Sequence, residues 1–300
     1  MSSAIVLNTV DPYATPKKVL TYAVMLILAY IFIFPLLFMF SSALKPQAQI
    51  FEDLYSIAAV LPTGDISLDN YVSVFESSRI GLYFFNSFFI TTTTVVLSLL
   101  VNSMLAYSLV RLEWKGRGFI LTFIIALMII PLDGIAIPLL MLVSHLPWIG
   151  WDSGLVLETT WLNTYHVQIL PLIANPFFIF LFVSFFKDIP KEFDEAAAID
   201  GATPFQIYWR IILPMSKPVI ATVAILQFLG GWNQYLFPVL FTQSEGVRPV
   251  MLGIQQFFGN NTEWGEVMAY ASLITLPVLL VFLIFQRQFV QSMAGAGIKG

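Results

Sequence analysis

Apolar residues in this chain gather into runs far longer than a soluble helix needs, and shorter polar stretches separate them. A segment that crosses a bilayer as a helix takes about 20 mostly apolar residues, because buried backbone groups must bond one another where water is absent. Six runs meet that length: 19–44, 82–110, 119–143, 168–186, 219–241 and 267–285. Lys17 and Lys18 precede the first run, and Ser41-Ser42-Ala43 near its end is similar to a secretion-signal cleavage site. The run is nearly twice as long as a signal core of about 7–15 residues, so an uncleaved anchor is expected.

The polar stretches differ in kind. Residues 45–81, 144–167 and 242–266 are long and rich in aromatic and turn residues. Trp148, Trp151, Trp161 and Trp264 suit a water–lipid boundary, where an amphipathic ring is most comfortable. Gly150, Asp152, Gly154 and Asn163 make the second of these stretches irregular, a surface on which a soluble partner can dock.

Composition agrees with the runs and removes other classes. Of 300 residues, 58% are hydrophobic and 11% charged, whereas soluble domains carry about 25% charged residues. The expectation is an all-α, polytopic membrane protein with six transmembrane helices, a single membrane domain over residues 1–300. A net charge of -4 leaves no basic patch for nucleic acid. With no cysteine there is no disulfide, thiolate metal site or thiol nucleophile.

Lysine and arginine tend to stay on the cytoplasmic side. With the N-terminus inside, that side holds eleven: Lys17, Lys18, Arg111, Lys115, Arg117, Lys187, Lys191, Arg210, Lys217, Arg287 and Lys299. The outer side holds three, Lys45, Arg79 and Arg248. Both termini are therefore expected in the cytoplasm, together with the 187–218 loop.

That loop has a helix-forming pattern of its own. Pro190 suits a first helical turn, 191–199 contains no breaker, and Asp188, Glu192, Asp194 and Glu195 crowd the end whose partial positive charge favours them. Gly201 can close that helix in the left-handed conformation, and Thr203-Pro204 supplies a capping hydroxyl and a first-turn proline for a second helix over 205–213, ending at Pro214. Ala196, Ala197, Ala198 and Ala202 give the elbow a small-residue face that another protein can approach closely. A helix lying on the inner leaflet is the other reading, but such helices favour bases on the polar face, and 192–200 carries only acids.

Glu195-Ala196-Ala197, Asp200-Gly201-Ala202, then Ile211, Leu213, Pro214 and Pro218 resemble the EAA signature of ATP-binding-cassette (ABC) importer permeases. Gly231-Trp232-Asn233 with Pro238, and the tail Phe285–Val290 with Ala294–Gly300, resemble the carbohydrate-uptake, maltose-type branch, in particular its shorter six-span permease. The resemblance covers all six runs. It implies a type I importer permease fold in a bacterial inner membrane and a heterodimer with a second, different permease. It further implies an ATPase dimer that binds ATP and Mg, and an external sugar-binding protein. By the same resemblance 187–218 is the coupling loop that seats in the ATPase, with Glu195 and Asp200 positioning it, Gly201 forming the elbow and Ala196, Ala197 and Ala202 allowing the fit.

The residues themselves exclude several chemistries. No Gly-x-x-x-x-Gly-Lys-Ser/Thr phosphate loop occurs, so the chain has no cradle for ATP, and Gly230-Gly231 fits close helix packing or a bend. No catalytic or metal-binding motif appears, and His145 and His166 are two isolated surface histidines. Asp133 is the acid within an apolar run; it either lines a pathway or sits where Pro131 and Pro138 unwind the helix. Gln227, Trp232, Asn233, Gln234 and Tyr235 combine hydrogen-bonding groups with aromatic faces, as a sugar route needs, although polar groups also hold helices together in lipid. An importer of a polyol, glycerol phosphate or osmolyte glycoside is the first alternative, and an ion-coupled transporter using Asp133 is the second.

Overall fold

The computed structural model describes the backbone of residues 14–150, 156–259 and 261–297, and the side chains of 18–148, 159–259 and 261–286. Trp151, Asp152 and Gly154, the side chains of Lys17 and Arg287, and the tail end with Lys299 lie outside the described residues. Helix dominates. Among the described residues the strands are one short antiparallel pair, β1 (Trp148–Gly150) and β2 (Val156–Glu158). The chain divides into two compact units: residues up to Glu76 with Phe257–Leu273, and Ser77–Gln256 with residues from Ile274.

The first unit opens with α1 (Ala14–Ser42), followed by α2 (Gln47–Glu52) and α3 (Asp69–Ser77). The apolar stretch of α1 buries nothing within the chain, so its leucine, isoleucine and phenylalanine side chains remain for lipid or another helix. Beyond α1 a buried lysine organises the connection. Lys45, 1% exposed, reaches Asp53 at 2.8 Å and donates to the Ala58 carbonyl at 2.6 Å. Burial of an ammonium is tolerated because it is both paired and hydrogen-bonded.

The second unit is built on α4 (Ile80–Arg111), 32 residues without a break. The expected third span, 119–143, is instead two helices, α5 (Arg117–Leu127) and α6 (Ala136–Val143), the latter preceded by a tight turn at Leu132–Ile135, and they meet at 93°. Pro131 explains the break, since it has no N–H to continue the ladder. The expected fourth span is also bent, by 41°, between α7 (Tyr165–Ile169), which tightens over Leu170–Leu172, and α8 (Pro176–Asp188). Asn175 caps α8 by accepting from the Phe177 N–H.

The loop that follows holds α9 (Glu192–Ile199) and a rod made of α10 (Pro204–Ile207), a wider π turn over Tyr208–Ile212 and α11 (Leu213–Met215). The second loop helix therefore runs through Pro214 rather than ending there. A proline ring clashes with the carbonyl four residues back, and the wider turn relieves that clash. An 80° bend at Ser216 leads into α12 (Lys217–Trp232). The expected fifth span, 219–241, thus stops at Trp232 and resumes as α13 (Leu236–Phe241); α14 (Val250–Gly253) and α15 (Trp264–Gly297) complete the chain. Among the described residues, three helices are long and apolar enough to cross a membrane unbroken, and there are up to six crossings if each bent pair counts as one.

The core of the second unit joins these pieces. Phe178, Phe182 and Phe186 of α8 pack with Ala106 and Tyr107 of α4 and Val223 of α12. Ala197, Ile207, Tyr208 and Ile212 of the loop enter the same core. The loop is accordingly docked on the helices rather than free of them.

Candidate functional site

The elbow is built by two local devices. Gly201 adopts φ +80°, where a side chain would strain the backbone. Thr203 and Gln206 then form a reciprocal cap: the Gln206 N–H donates to Thr203 Oγ1 at 3.4 Å, and the Thr203 N–H to Gln206 Oε1 at 2.8 Å. Of the expected contact residues, Ala197 is buried and Ala202 half-buried, whereas Glu195, Ala196, Asp200 and Gly201 are exposed. The sequence reading missed an apolar component. Phe193, Ile199, Phe205 and Trp209 are 46%, 87%, 61% and 50% exposed, and the rings of Phe205 and Trp209 stack 6.4 Å apart.

Three successive turns of α4 grip this elbow. Ser103 Oγ lies 2.8 Å from the Tyr208 hydroxyl, the Tyr107 hydroxyl donates to the Pro204 carbonyl at 3.0 Å, and Arg111 Nη1 stands 2.8 Å from Asp194. Spacing of four places all three on one face. The other Arg111 terminal nitrogen, Nη2, donates to the carbonyls of Phe186 and Ile189 at 2.7 and 2.6 Å. Both Asp194 oxygens and Arg111 Nε are buried without an aligned hydrogen-bond partner. Burial pushes the Asp194 carboxyl above its ordinary range, and the Arg111 charge opposes that shift. From sequence, Asp194 was read only as one of the acids at the helix N-terminus and Arg111 counted only toward orientation, so their pairing was not foreseen.

Higher on α4, a stripe of buried polar residues runs along a different face: Ser87, Thr91, Thr94, Ser98 and Asn102. Asn102 spans the cut in the α7–α8 span. Its Nδ2 donates to the Ile173 carbonyl at 2.9 Å, and its Oδ1 accepts from the Asn175 N–H at 3.0 Å. Gly231 sits against Thr91, where a Cβ would come within 3.3 Å of its methyl group, so the glycine permits close packing of α12 on α4. The spacing of four, three, four and four along an apolar run was the sequence signal for this stripe.

Three of the four interruptions, those near Pro131, at 173–175 and at the end of α12, meet at one cavity of about 670 Å3. Met128 and Pro131 come from the first break, Ala174 and Asn175 from the second, and Gly231 and Gln234 from the end of α12. Gln227 adds an amide, held by a long 3.4 Å contact from Ser98. Irregular backbone at membrane depth is tolerated where it lines a cavity or is buried in protein. The walls are otherwise apolar, with Leu127, Leu132 and Phe177 among them.

The other expected site residues lie elsewhere. Trp232 is buried; its Nε1 donates to the Ile274 carbonyl at 3.0 Å and its ring stacks on Phe228. Asn233 is exposed and donates to the Leu229 carbonyl, and the exposed Tyr235 pairs its hydroxyl with Gln255. Asp133 is exposed, in the turn beside the cavity rather than in its lining. His145 and His166 are apart from the cavity, and among the described residues no three His, Asp or Glu side chains group as metal ligands.

The family model for the binding-protein-dependent transport system inner membrane component matches residues 95–295, which hold the elbow and the whole cavity lining. The probable ABC transporter permease protein YurM of Bacillus subtilis is 34% identical, over 89% of this chain and 84% of its own. The arabinooligosaccharides transport system permease protein AraQ of Halalkalibacterium halodurans is 32% identical, over 91% and 93%. The lactose transport system permease protein LacG of Rhizobium radiobacter is also 32% identical, over 93% and 95%. A chain from the crystal structure of a bacterial ABC transporter involved in the import of the acidic polysaccharide alginate shares the fold, with a TM-score of 0.77 at 22% identity over 92% of this chain and 98% of that one.

Proposed function

The chain belongs to the binding-protein-dependent transport system inner membrane components, multi-pass permease subunits of ABC transporters, and from that premise we propose that it carries a sugar or oligosaccharide inward through the cavity at the three helix breaks. Full-length relatives named for arabinooligosaccharides and lactose support the solute class. Asn175, Gln227 and Gln234 supply hydrogen-bonding groups between apolar walls, the combination a sugar's hydroxyls and ring faces require.

In this mechanism the elbow seats in a separate ATPase dimer, which binds ATP and Mg, since the chain has no phosphate loop of its own. Exposed Phe193, Ile199, Phe205 and Trp209 bury against that partner, and Glu195 and Asp200 orient the contact. A second permease completes the pathway, and an external binding protein delivers the solute. Both termini and the 187–218 loop lie in the cytoplasm, and the membrane is the bacterial inner membrane. Alternating access needs ligands that favour one state over the other; ATP inside and the loaded binding protein outside jointly supply that bias.

One observation carries the proposal. The helix α4 that grips the elbow through Ser103, Tyr107 and Arg111 also holds the cavity's broken span through Asn102, on another of its faces. Movement of the elbow is thereby transmitted to the cavity wall. The test is uptake of a labelled oligosaccharide into liposomes holding the complete transporter. ATP-dependent uptake that Glu195→Lys with Gly201→Val uncouples from hydrolysis is expected. Solute movement by this chain alone, or uptake driven by an ion gradient without ATP, overturns the reading.

A further inference from the structure

Where α4 ends against the start of α5 and the end of α8, a pocket of about 290 Å3 is lined by Arg111, Arg117, Lys187 and Lys191. Leu109, Val110 and Leu121 form its other wall. Arg111 is paired with Asp194, yet its Nε faces no hydrogen-bond partner although the side chain is only 4% exposed. Arg117 donates to the Leu112 carbonyl at 2.8 Å. Among the described residues, no carboxylate pairs with Arg117, Lys187 or Lys191.

Four cations around one cavity, one of them with an unsatisfied buried donor, describe a site for an anion. The apolar wall narrows the choice. A free phosphate has no use for Leu109, Val110 and Leu121, whereas a phospholipid places a charged headgroup and the first carbons of its chains within a few ångströms of each other. The pocket lies at the ends of helices in the apolar runs, where headgroups are found, and basic pockets between such helix ends suit anionic lipids.

We propose that this pocket binds the headgroup of an anionic phospholipid, with phosphate on Arg111, Arg117, Lys187 and Lys191 and the chains along the leucine and valine wall. The lipid then acts on the elbow directly, because Arg111 also holds Asp194 of α9 and the carbonyls of Phe186 and Ile189. Occupancy stabilises the seat from which the elbow moves. The inference needs only that these helix ends lie at a membrane surface, so it fails or stands independently of which solute is carried.

The test is native mass spectrometry of the full chain released from mixed phosphatidylglycerol and phosphatidylcholine, with the retained lipid counted. Phosphatidylglycerol is expected to be retained preferentially. The double variant Lys187→Gln/Lys191→Gln is expected to lose that retention about tenfold or more, at the strength of two cations near an anionic surface. The pair Arg210→Gln/Lys217→Gln, basic and exposed but outside the pocket, is expected to leave it unchanged. Equal retention of the two lipids, equal loss in both variants, or displacement of phosphatidylglycerol by inorganic phosphate overturns the proposal.

Discussion

Replacing Asn102 with leucine is the sharpest probe of how α4 holds the cavity wall. The native side chain meets two backbone groups that the interrupted α7–α8 span leaves outside any helix, the Ile173 carbonyl at 2.9 Å and the Asn175 N–H at 3.0 Å. It also donates to Ser98 Oγ at 2.7 Å. Leucine fills similar space and satisfies none of these. A buried backbone group left unpaired costs about 1–3 kcal/mol, while hydrogen bonds within membrane bundles average about 0.6 and reach about 1.7 kcal/mol. Two orphaned groups at the overlap of those ranges give a loss of about 2–3 kcal/mol. Ser98→Ala, which removes only a long contact to Gln227 and one partner of Asn102, costs about 0.6 kcal/mol by the same reasoning. Stability of the solubilised chain against denaturant reads the first number. A second readout uses the absence of cysteine from the sequence: Ala174→Cys, beside Asn175 in the cavity lining, reports the break by its rate of reaction with a soluble maleimide. Asn102→Leu is expected to change that rate. A variant within about 0.5 kcal/mol of the parent, with unchanged labelling, refutes the reasoning.

The remaining outcomes test other joints. Gly201→Val is expected to cost about 1–2 kcal/mol through backbone strain alone, because no atom lies within 4 Å of where its Cβ would stand; transport per ATP hydrolysed should fall, and Gly201→Asn should retain most of it. Thr203→Ala removes half of a reciprocal cap and is expected to lose about 1 kcal/mol of elbow stability, read by hydrogen exchange over 203–207. Asp194 binds its proton more tightly in the folded chain than in the unfolded one, so its contribution to stability is fully present below its ordinary value of 3.8 and declines as pH rises through the raised folded value. Asp194→Asn should abolish that decline in thermal scans, and an unchanged pH profile contradicts the burial assigned to it. In the first unit, Gly265→Ala would place a Cβ 2.5 Å from Asn70 Nδ2, displacing the donor to the Ala43 and Lys45 carbonyls; protease resistance of residues 43–70 should drop.

Much of this was legible because long apolar runs and helix punctuation are local signals. The left-handed Gly201, the Thr203 cap and the first-turn Pro204 each follow from one residue's own chemistry, and each stands where the chain pattern places it. The break at 128–131 was foreseen only as one reading of Pro131 and Pro138, and those at 173–175 and 233–235 did not follow. Prolines at or beside the first two were visible, but whether a proline kinks a helix or cuts it depends on what satisfies the freed backbone groups, and at the second cut that partner is Asn102, 71 residues from Ile173. Trp232 stayed open between two readings for the same kind of reason. An indole among polar neighbours suggested a sugar platform, yet its N–H finds the Ile274 carbonyl and its ring finds Phe228 and Phe84, a packing arrangement that only tertiary structure reveals.

The distribution of polar groups along α4 also explains why a helix in an apolar environment keeps so many of them. Between two elements in lipid, apolar packing alone is nearly indifferent to register, since one leucine surface exchanges for another or for acyl chains. A hydrogen-bonded rung is not indifferent, because sliding by one turn leaves both partners unpaired. Asn102 fixes α4 against the cut in the α7–α8 span, and Ser103, Tyr107 and Arg111 fix it against the elbow. Gly231 against Thr91 sets the approach of α12. A push on the elbow therefore cannot be absorbed by slippage along α4. It must either displace the helix as a whole or break a rung, and the rung with the poorest alignment is Arg111 with Asp194, whose carboxylate oxygens have no aligned donor. That pair is where the elbow is expected to yield first, so Asp194→Asn should loosen coupling while Ser103→Ala, which removes a single neutral contact, leaves it nearly intact.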